Sequence, residues 1–483
     1  MGHLPLTPSP RCDIVGSMEA TARRPDRSTP NCYFTSLHVN GIRCFTSAKL
    51  GLSTRAGRPA RWTILLGDNG TGKTSLLRAL AILSADLSRV APAGQAPNWV
   101  PEGRVWDTRD RMWVRVDARA SGGPGSEHRS YEGFREAFFT AETVATPSLA
   151  PKAPLGRRAR WRVAWQADSP MSGPHYATER GSASMLCCGY GATRRTAEPG
   201  ARLDPRTPAT ASLFFEDVAL RSPEDWLLEI DHAAYSERVE GSAAARKVPV
   251  KQRLVELLTE GTVTGISFLR EAQEAPSHLV LAHTPYGVIP LRELSLGCHS
   301  LLAWSTDLMR RLCERYPKST KPFDEPAVVL IDEIDLHLHP SWQRMLIDRL
   351  AHCFPNVQFI VTAHSPLVVQ SASAARANVV VLRREEDHVV IDNSPRSVRN
   401  WRVDQILTSD LFGLQSPRPA HLDSLLEERR GILAKPRLTP TDRLRVASIE
   451  KKIGRLPTGR TLEEIDAMDL IMRAAARLRR QGK

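Results

Sequence analysis

The sequence feature that most constrains the fold is the stretch GDNGTGKT, which runs from Gly67 to Thr74. It fits the pattern G-x-x-x-x-G-K-[ST] and lies between an apolar run, RWTILL, and a helix-like run, TSLLRALAILSADL. Glycines let successive backbone N–H groups curl around phosphate oxygens, and the N-terminus of the following helix adds free donors and a favourable dipole. Strand, glycine loop and helix in this order predict a βα unit that binds phosphate.

Two side chains of this loop have expected roles of their own. Lys73 is expected to neutralise charge on β- and γ-phosphates, and the hydroxyl of Thr74 is expected to ligate Mg²⁺. The alternative, a glycine turn that binds nothing, is disfavoured because both flanking segments have the required character. The residues predicted to contact a nucleotide here are Gly67, Asp68, Asn69, Gly70, Thr71, Gly72, Lys73, Thr74 and Ser75.

The second motif is acidic: the apolar run AVVLI is followed directly by Asp332 and Glu333. A P-loop ATPase needs an acidic residue at the end of a neighbouring strand to hold Mg²⁺, and Asp332 fits that role. Glu333 is then placed to polarise the attacking water as a general base. The next residues, Asp335, His337 and His339, also suggest a metal-binding cluster. We favour a role for both histidines in organising the turn and a dimer interface, because the next residue, a proline, can open a helix.

Two weaker motifs complete the pattern. In LSLG, Ser295 and Gly297 precede a helical run and could present a hydroxyl and bare backbone to a phosphate. Alone, this motif is as well explained by a helix cap. In VTAHSP, His364 follows an apolar strand, where a single histidine is usually structural.

The order of the four motifs resembles ATP-binding-cassette type ATPases of the SMC, RecF and OLD group. Within that group the chain is most similar to AAA-type ATPases of prokaryotic defence systems, in particular Septu and retron-associated ATPases. The resemblance covers about residues 33 to 395 and extends to GYGATRR and DWLLEID. It implies an α/β P-loop NTPase of ABC-ATPase type. The expected parts are a central, mostly parallel sheet, an antiparallel N-terminal β subdomain, a helical insertion and a helical C-terminal tail.

The resemblance also implies a role for each motif. Gly67 to Thr74 would be the Walker A loop, Asp332 the Walker B aspartate and Glu333 the catalytic base. Ser295 and Gly297 would form the signature that reaches the γ-phosphate held by the opposite subunit.

Two further residues take roles from the same resemblance. Asp335 would lie in the D-loop at the dimer interface, and His364 would sense the γ-phosphate as the switch histidine. The implied ligands are ATP and Mg²⁺. The implied partners are a second copy of the chain, an HNH-type nuclease, and DNA or another nucleic acid. No membrane partner is implied, and the expected location is the cytoplasm.

The chain departs from that family pattern in two places. No clear glutamine loop is present; the equivalent region is MLCCGYGATRR, and Gln166 is only a distant candidate. Arg194 or Arg195 could contact nucleotide or nucleic acid there, but we favour solvated surface arginines. The signature LSLGC lacks the usual second glycine and glutamine, which weakens any expectation of fast hydrolysis.

Length and charge set the remaining limits. The 483 residues have a formal net charge of +13, which favours an acidic partner such as nucleic acid, unless it is a compositional habit of the Arg-rich sequence. Eight cysteines without metal-ligand spacing predict reduced thiols, and no apolar run is long enough for a transmembrane helix. The expected segments are a disordered leader (1–31), an N-terminal ATPase lobe (32–200), a helical insertion (201–275), a C-terminal ATPase lobe (276–400) and a helical tail (401–483).

Three alternative functions share these motifs. A RecF- or SMC-like ATPase head in DNA repair is the strongest of them, because its site is hard to separate from that of a defence ATPase. A transporter's nucleotide-binding subunit is disfavoured by the N-terminal hairpin, by DEIDLHLHP and by the helical insertion. A self-contained OLD-type nuclease is disfavoured because REEDHVVIDN lacks the acidic arrangement that such a metal domain needs.

Overall fold

The computed structural model describes most of the chain between residues 31 and 453. The described residues are 31–82, 112–121, 131–143, 157–166, 186–204, 207–236, 244–258, 263, 265–270, 277–317, 319–414, 416–435, 437 and 439–453. The predicted disordered leader, except for Asn31, lies outside them, as does the end of the tail. The chain divides into two compact units, 1–394 and 395–483. The segment boundaries expected from the sequence stay predictions.

Fourteen strands and nine helices can be assigned in these residues. The strands are β1 (Asn31–Ile42), β2 (Phe45–Gly51), β3 (Trp62–Gly67), β4 (Met112–Ser121), β5 (Tyr131–Thr143), β6 (Arg157–Gln166), β7 (Cys187–Tyr190), β8 (Gly265–Arg270), β9 (Ser277–Thr284), β10 (Gly287–Pro290), β11 (Ala327–Ile331), β12 (Val357–Thr362), β13 (Asn378–Glu385) and β14 (His388–Asp392). The helices are α1 (Lys73–Ile82), α2 (Pro223–Ser236), α3 (Ala244–Leu258), α4 (Leu296–Arg315), α5 (Pro340–Cys353), α6 (Pro366–Ala374), α7 (Val403–Leu407), α8 (Ala420–Leu433) and α9 (Pro440–Ile453).

The central sheet has six strands in the order β14-β13-β3-β12-β11-β7. All neighbouring pairs are parallel except β13 with the edge strand β14. Every residue of β11 and β12 is buried, which is the pattern of strands covered on both faces. Strand β12 lies between β3 and β11, so the carboxyl ends of all three strands open on one edge of the sheet. The predicted mostly parallel α/β architecture is confirmed.

An antiparallel sheet forms the predicted N-terminal β subdomain, with strand order β2-β1-β4-β5-β6. Asn40-Gly41 in the sequence suggests a turn, but that prediction is wrong, because Asn40 pairs with Ser47 inside the β1–β2 ladder. The two-residue loop is Arg43-Cys44, with Arg43 in the left-handed region at a φ of 51°. The ladder extends past the Asn-Gly pair because this register buries the apolar side chains of both strands, Leu37 and Leu50 among them.

In its described residues, the region 201–275, which the sequence predicts to be helical, contains two α-helices and one strand. Helices α2 and α3 confirm the expectation for their residues, but it is wrong for Gly265–Arg270, which is β8. This strand pairs antiparallel with β9 in a three-stranded sheet of order β10-β9-β8. The run ASLFFEDVAL forms only a 3₁₀ turn at Ala211–Leu213. Its Ser212 hydroxyl donates to the carbonyl of Gly189 in β7 at 2.8 Å, so tertiary packing overrides helix formation there.

The main apolar core joins the two sheets through helix α1. Leu77 and Leu80 of α1 lie in one cluster with Phe45 of the antiparallel sheet and with Leu330 and Ile360 of the parallel sheet. The glycine loop that precedes α1 is therefore anchored to both layers. None of the helices in the described ranges is long and apolar enough to cross a membrane.

The C-terminal unit is helical in its described residues, as predicted for the tail. Its two longer helices, α8 and α9, are joined by side-chain ion pairs. Arg429 contacts Glu450 at 2.8 Å, and Arg445 contacts Glu428 at 2.6 Å. Both pairs are exposed, so they contribute little to stability.

Candidate functional site

The glycine loop has the shape that close backbone approach requires. Gly70 and Gly72 have φ values of 80° and 86°, in the left-handed region that favours glycine. A Cβ on Gly72 would lie 2.7 Å from Cys44 Sγ and from the Phe45 ring, so a side chain there would collide with the β1–β2 hairpin. A Cβ on Gly70 would meet nothing within 4 Å, so this glycine borders open space.

The remaining loop residues divide between an exposed tip and a buried support. Asp68, Asn69 and Gly70 are exposed, whereas Thr71 and Ser75 are buried. The Thr71 hydroxyl donates to the carbonyl of Asp68 at 2.8 Å. Thr71 therefore shapes the loop from inside, and the exposed tip is the part that a ligand can reach.

Lys73 lies inside the loop, with only 7% of its surface exposed. Its Nζ donates to the carbonyls of Gly67 at 2.7 Å and Asp68 at 2.9 Å. Burial lowers the pKa of Lys73, and the nearby carboxylates, Asp332 foremost, raise it in part. The loop thus encloses a buried cation, which is the charge that phosphate oxygens need.

Thr74 and Asp332 meet although they are 258 residues apart in the sequence. The Thr74 hydroxyl donates to Asp332 Oδ2 at 2.7 Å, and the Thr362 hydroxyl donates to Asp332 Oδ1 at 2.7 Å. Thr74 lies in the first turn of α1, Asp332 follows β11, and Thr362 ends β12, so three elements converge at the same sheet edge. The structure thus brings the two predicted Mg²⁺ ligands together.

Glu333 follows Asp332 with an unusual backbone conformation, a φ of 50°. Its N–H donates to the Thr362 hydroxyl at 2.7 Å, and the next N–H, that of Ile334, donates to the Thr362 carbonyl at 3.0 Å. Glu333 is half-buried, and its carboxylate is close enough to Lys73 to raise the pKa of that lysine. A carboxylate so placed can accept a proton from a water at this edge of the sheet.

Arg194 corrects an expectation from the sequence, which favoured a solvated surface arginine. It is only 5% exposed, and its guanidinium donates to the carbonyls of Gly191 at 3.1 Å, of Asp332 at 2.7 Å, and of Glu333. Burial lowers its pKa to about 10, against the opposing effect of nearby carboxylates. Arg195, by contrast, is exposed as expected.

The sheet order explains why Arg194 is buried. Strand β7 pairs in parallel with β11, with Tyr190 opposite Ile331. The loop after β7 therefore lies beside the loop that carries Asp332 and Glu333. The sequence did contain a signal for a strand and a following loop, because CCGYG is an apolar run followed by glycine. Nothing in that run identified β11 as the neighbouring strand.

The predicted signature lies at the start of α4. Ser295 stands at the N-cap position of this helix without a side-chain capping hydrogen bond; it is exposed, and the next residue, Leu296, is 65% exposed. A Cβ on Gly297 would lie 2.5 Å from the carbonyl oxygen of His337, so glycine allows α4 to pack closely on the loop that follows Glu333. In the described part of the chain, the hydrogen bonds of Ser295 stay within its own helix.

Asp335 and His364 are joined within one chain. Asp335 Oδ2 accepts from the backbone N–H of His364 at 2.9 Å, while the His364 side chain is exposed. Gln343 strengthens the link, because its Nε2 donates to the carbonyl of Leu338 at 2.9 Å and its Oε1 accepts from the Ser365 hydroxyl at 2.6 Å. No sequence motif identified Gln343 beforehand.

The two histidines after Asp335 have different surroundings. His339 caps helix α5, since its Nδ1 accepts from the backbone N–H of Ser341 at 3.3 Å. His337 is exposed, with a φ of 62°. Across the described ranges, no group of three His, Cys, Asp or Glu side chains is arranged to hold a metal ion. The turn-organising role preferred from the sequence fits His339. The side chain of Gln166, the distant glutamine-loop candidate, lies outside the description.

The donor set fits a nucleotide with Mg²⁺. A hydroxyl (Thr74) and a carboxylate (Asp332) are the hard oxygen ligands that Mg²⁺ prefers. The buried ammonium of Lys73 and the left-handed glycines provide a cation and bare backbone next to that pair. The site can therefore hold a polyphosphate whose metal ion is shared between α1 and β11.

Comparisons with known sequences place the chain near ATPases of defence systems. The family described as "AAA domain, putative AbiEii toxin, Type IV TA system" matches residues 227–370. The Septu protein PtuA of Bacillus mycoides (strain KBAB4) is 23% identical over 439 residues, which cover 89% of this chain and 52% of that protein. The Retron Ec83 probable ATPase of Escherichia coli is 34% identical over 194 residues, 40% of this chain and 34% of that protein. The chain thus spans about half the length of the first of these relatives and a third of the second.

Among solved structures, similarity is weaker. An SMC head bound to the C-terminal winged-helix domain of ScpA aligns with a TM-score of 0.40 and 16% identity, covering 74% of this chain and 97% of that one. A TM-score this low supports no inference about partners. The sequence relatives confirm the predicted resemblance to P-loop ATPases of Septu and retron defence systems.

Proposed function

From this relationship to ABC-type P-loop ATPases of defence systems, we propose that the chain binds ATP with Mg²⁺ and hydrolyses it. One observation carries the proposal: the hydroxyl of Thr74 meets the carboxylate of Asp332 at 2.7 Å, with Glu333 next in the chain. A P-loop without an acidic strand end could hold phosphate, but it would lack a second metal ligand and a base. The three side chains together support hydrolysis as well as binding.

The residues would divide the chemistry in the following way. The glycine-loop N–H groups and Lys73 bind the phosphates, and Thr74 and Asp332 hold the metal ion, which neutralises charge on the transferred group. Glu333 accepts a proton from water as the water oxygen attacks the γ-phosphorus. The bond between the γ-phosphorus and the bridging oxygen then breaks, and that oxygen leaves with ADP.

The signature supports a composite site made from two copies. Ser295 and Leu296 are exposed at the start of α4, and the first-turn N–H groups of any helix have no partner within it. Such a helix end can bind phosphate oxygens. Its glycine, Gly297, packs against the loop after Glu333, so the signature of one copy and the base of the same copy are mechanically joined. We propose that Ser295 and Gly297 contact the nucleotide of a second copy, with Asp335 and His364 near the interface.

The biological role is proposed from the relatives. The Septu and retron proteins to which the chain is similar are named for defence systems. We propose that ATP binding and hydrolysis here control an HNH-type nuclease, or another response directed at DNA, during antiphage defence. The net charge of +13 agrees with an acidic partner such as nucleic acid.

Two variants test binding, hydrolysis and dimerisation together. Glu333→Gln keeps the phosphate site and the metal ligands but removes the base, so it should stop hydrolysis and accumulate an ATP-bound dimer. Lys73→Ala removes the cation in the loop and should abolish ATP binding and the dimer. Size-exclusion chromatography with light scattering in saturating ATP and Mg²⁺ measures the dimer, and phosphate release measures hydrolysis.

Matched controls come from the same chain. Glu386 has the same φ of 50° as Glu333 but is exposed in the β13–β14 turn, and Lys49 is an exposed lysine of β2. Glu386→Gln and Lys49→Ala should behave as wild type. If Glu333→Gln elutes as wild type does in saturating ATP, the composite-site dimer is wrong. If Lys73→Ala binds ATP normally, the nucleotide site itself is wrong.

A further inference from the structure

Arg194 is buried in an unusual way. Burying a guanidinium is costly, and a buried arginine normally pairs with a carboxylate. Within the described part of the chain, Arg194 instead donates to three backbone carbonyls, those of Gly191, Asp332 and Glu333. The hydrogen bonds lie on the backbone of the two Walker B acids, so the carboxylates themselves stay available to a ligand.

The backbone that Arg194 contacts is strained. Glu333 has a φ of 50°, in the left-handed region that few non-glycine residues adopt. Its N–H is bound by the Thr362 hydroxyl at 2.7 Å, and its carbonyl is bound by Arg194. The peptide groups on both sides of the Glu333 Cα are therefore held, one by β12 and the other by the loop after β7. We call Arg194, Asp332, Glu333 and Thr362 the Walker B clamp.

Arg194 also contacts the signature helix. Its Nη1 lies 3.5 Å from the hydroxyl of Ser300, in the second turn of α4. This contact is long, but it places one guanidinium against both the loop of Glu333 and the helix that begins at Ser295. Movement of α4 would change the surroundings of the group that holds Glu333.

We propose that Arg194 is a positioning residue that fixes the Asp332–Glu333 backbone and couples the direction of the Glu333 carboxylate to the position of α4. The inference rests on the proposed function, because positioning Glu333 matters for catalysis only if Glu333 acts as the base. It adds a residue outside the four motifs found in the sequence.

The geometry requires arginine rather than any cation. The planar guanidinium directs Nε to Gly191, Nη2 to the carbonyls of Asp332 and Glu333, and Nη1 to Ser300. A lysine ammonium is a single point with three donors and cannot span these acceptors. Burial lowers the pKa of Arg194 only to about 10, so the group stays charged at neutral pH.

The test compares Arg194→Lys with Arg195→Lys, which changes the adjacent, exposed arginine in the same way. Steady-state hydrolysis gives kcat and KM, and hydrogen–deuterium exchange gives the protection of residues 332–339 and of the loop 67–74. Arg194→Lys should lower kcat by roughly 10- to 100-fold and leave KM within about twofold, because binding groups are untouched. Exchange should rise in 332–339 and stay unchanged in 67–74. Arg195→Lys should match wild type in all four readouts.

The outcomes separate this inference from the proposed function. If wild type does not hydrolyse ATP, the proposed function fails, while exchange in 332–339 still decides whether Arg194 holds that backbone. Unchanged exchange there in Arg194→Lys overturns the inference, and so does a general rise across the chain, which indicates a purely structural role. Should Arg194→Lys fold poorly, Arg194→Ala with millimolar guanidinium replaces it. Restored protection of 332–339 supports the inference, and no restoration overturns it.

Discussion

Two buried polar clusters extend from β7, and they are built on opposite principles. The Walker B clamp lies beyond the end of the strand. The second, which we call the Asp307 cluster, joins Tyr190, the last residue of β7, to Asp307, Arg310 and Arg311 of helix α4. Asp307 has a side chain only 2% exposed and accepts from Arg310 at 2.7 Å, Arg311 at 2.6 Å and the Tyr190 hydroxyl at 3.1 Å.

In the Asp307 cluster, opposite charges neutralise each other. Burial alone would raise the pKa of Asp307, but Arg311 and Arg310 outweigh burial and lower it. Burial and Asp307 raise the pKa of Tyr190 well above its ordinary value. The cluster is closed, because both oxygens of its carboxylate are bound to groups that cannot leave.

In the Walker B clamp, the buried cation binds carbonyls and leaves the acids available. Asp332 accepts hydrogen bonds from two hydroxyls, which a metal ion can replace or share, and Glu333 is half-buried. The comparison shows that β7 and α4 take part in two clusters with different roles. In the Asp307 cluster, ion pairs and a hydrogen bond to β7 fix α4 to the sheet. In the Walker B clamp, hydrogen bonds from a cation to backbone carbonyls set the geometry of a site.

The largest effect on stability should come from Asp307→Asn. It removes the negative charge that two half-buried guanidinium groups share and leaves Arg310 with only its pair to the exposed Glu314, so the free energy of unfolding should fall by about 3 kcal/mol. Urea unfolding followed by circular dichroism measures it. Glu314→Gln is the matched control, because Glu314 also pairs with Arg310, at 2.6 Å, but is 60% exposed. A loss for Asp307→Asn as small as that of the control would remove the distinction between the clusters.

A smaller effect on stability is expected for Thr362→Val in the Walker B clamp. This isosteric change leaves the Glu333 N–H without its acceptor, so the free energy of unfolding should fall by about 1 to 2 kcal/mol. Hydrolysis should fall as well, because the Glu333 backbone loses one of its two supports. The same urea and phosphate-release assays apply. Full activity in this variant would show that the clamp does not set the geometry of Glu333.

The smallest expected difference lies in the pH dependence, since Asp307 is one of 53 acidic residues. Its folded-state pKa is lowered, so its contribution to stability is present above the unfolded pKa of about 3.9 and is lost as the pH falls through the folded value. The stability gap between wild type and Asp307→Asn should therefore be constant from about pH 5 to 8 and shrink below about pH 4. Urea unfolding across this range measures the gap. A gap that grows on acidification would contradict the lowered pKa.

The sequence predicted the parts of the site whose information is local. The glycine loop and the apolar strands before Asp332 and His364 all carry period or turn signals. Prediction from the sequence failed where the pairing partner of a segment decides its secondary structure. Gly265–Arg270 became a strand because β9 was available to pair with it, and Arg43-Cys44 became the turn because the register of β1 and β2 extends past Asn40.

By itself the sequence determined the chemistry available to this protein: a left-handed glycine loop, a lysine and a threonine after a buried strand, and two acids after another. Those properties follow from the allowed φ values of glycine and from apolar runs. Both depend only on residues that are close together in the sequence. Only the tertiary structure decided that Thr74 and Asp332 touch, that Arg194 is buried under Glu333, and that Asp307 is closed by two arginines. These contacts depend on strand order and register, which are set by packing between segments distant in the chain.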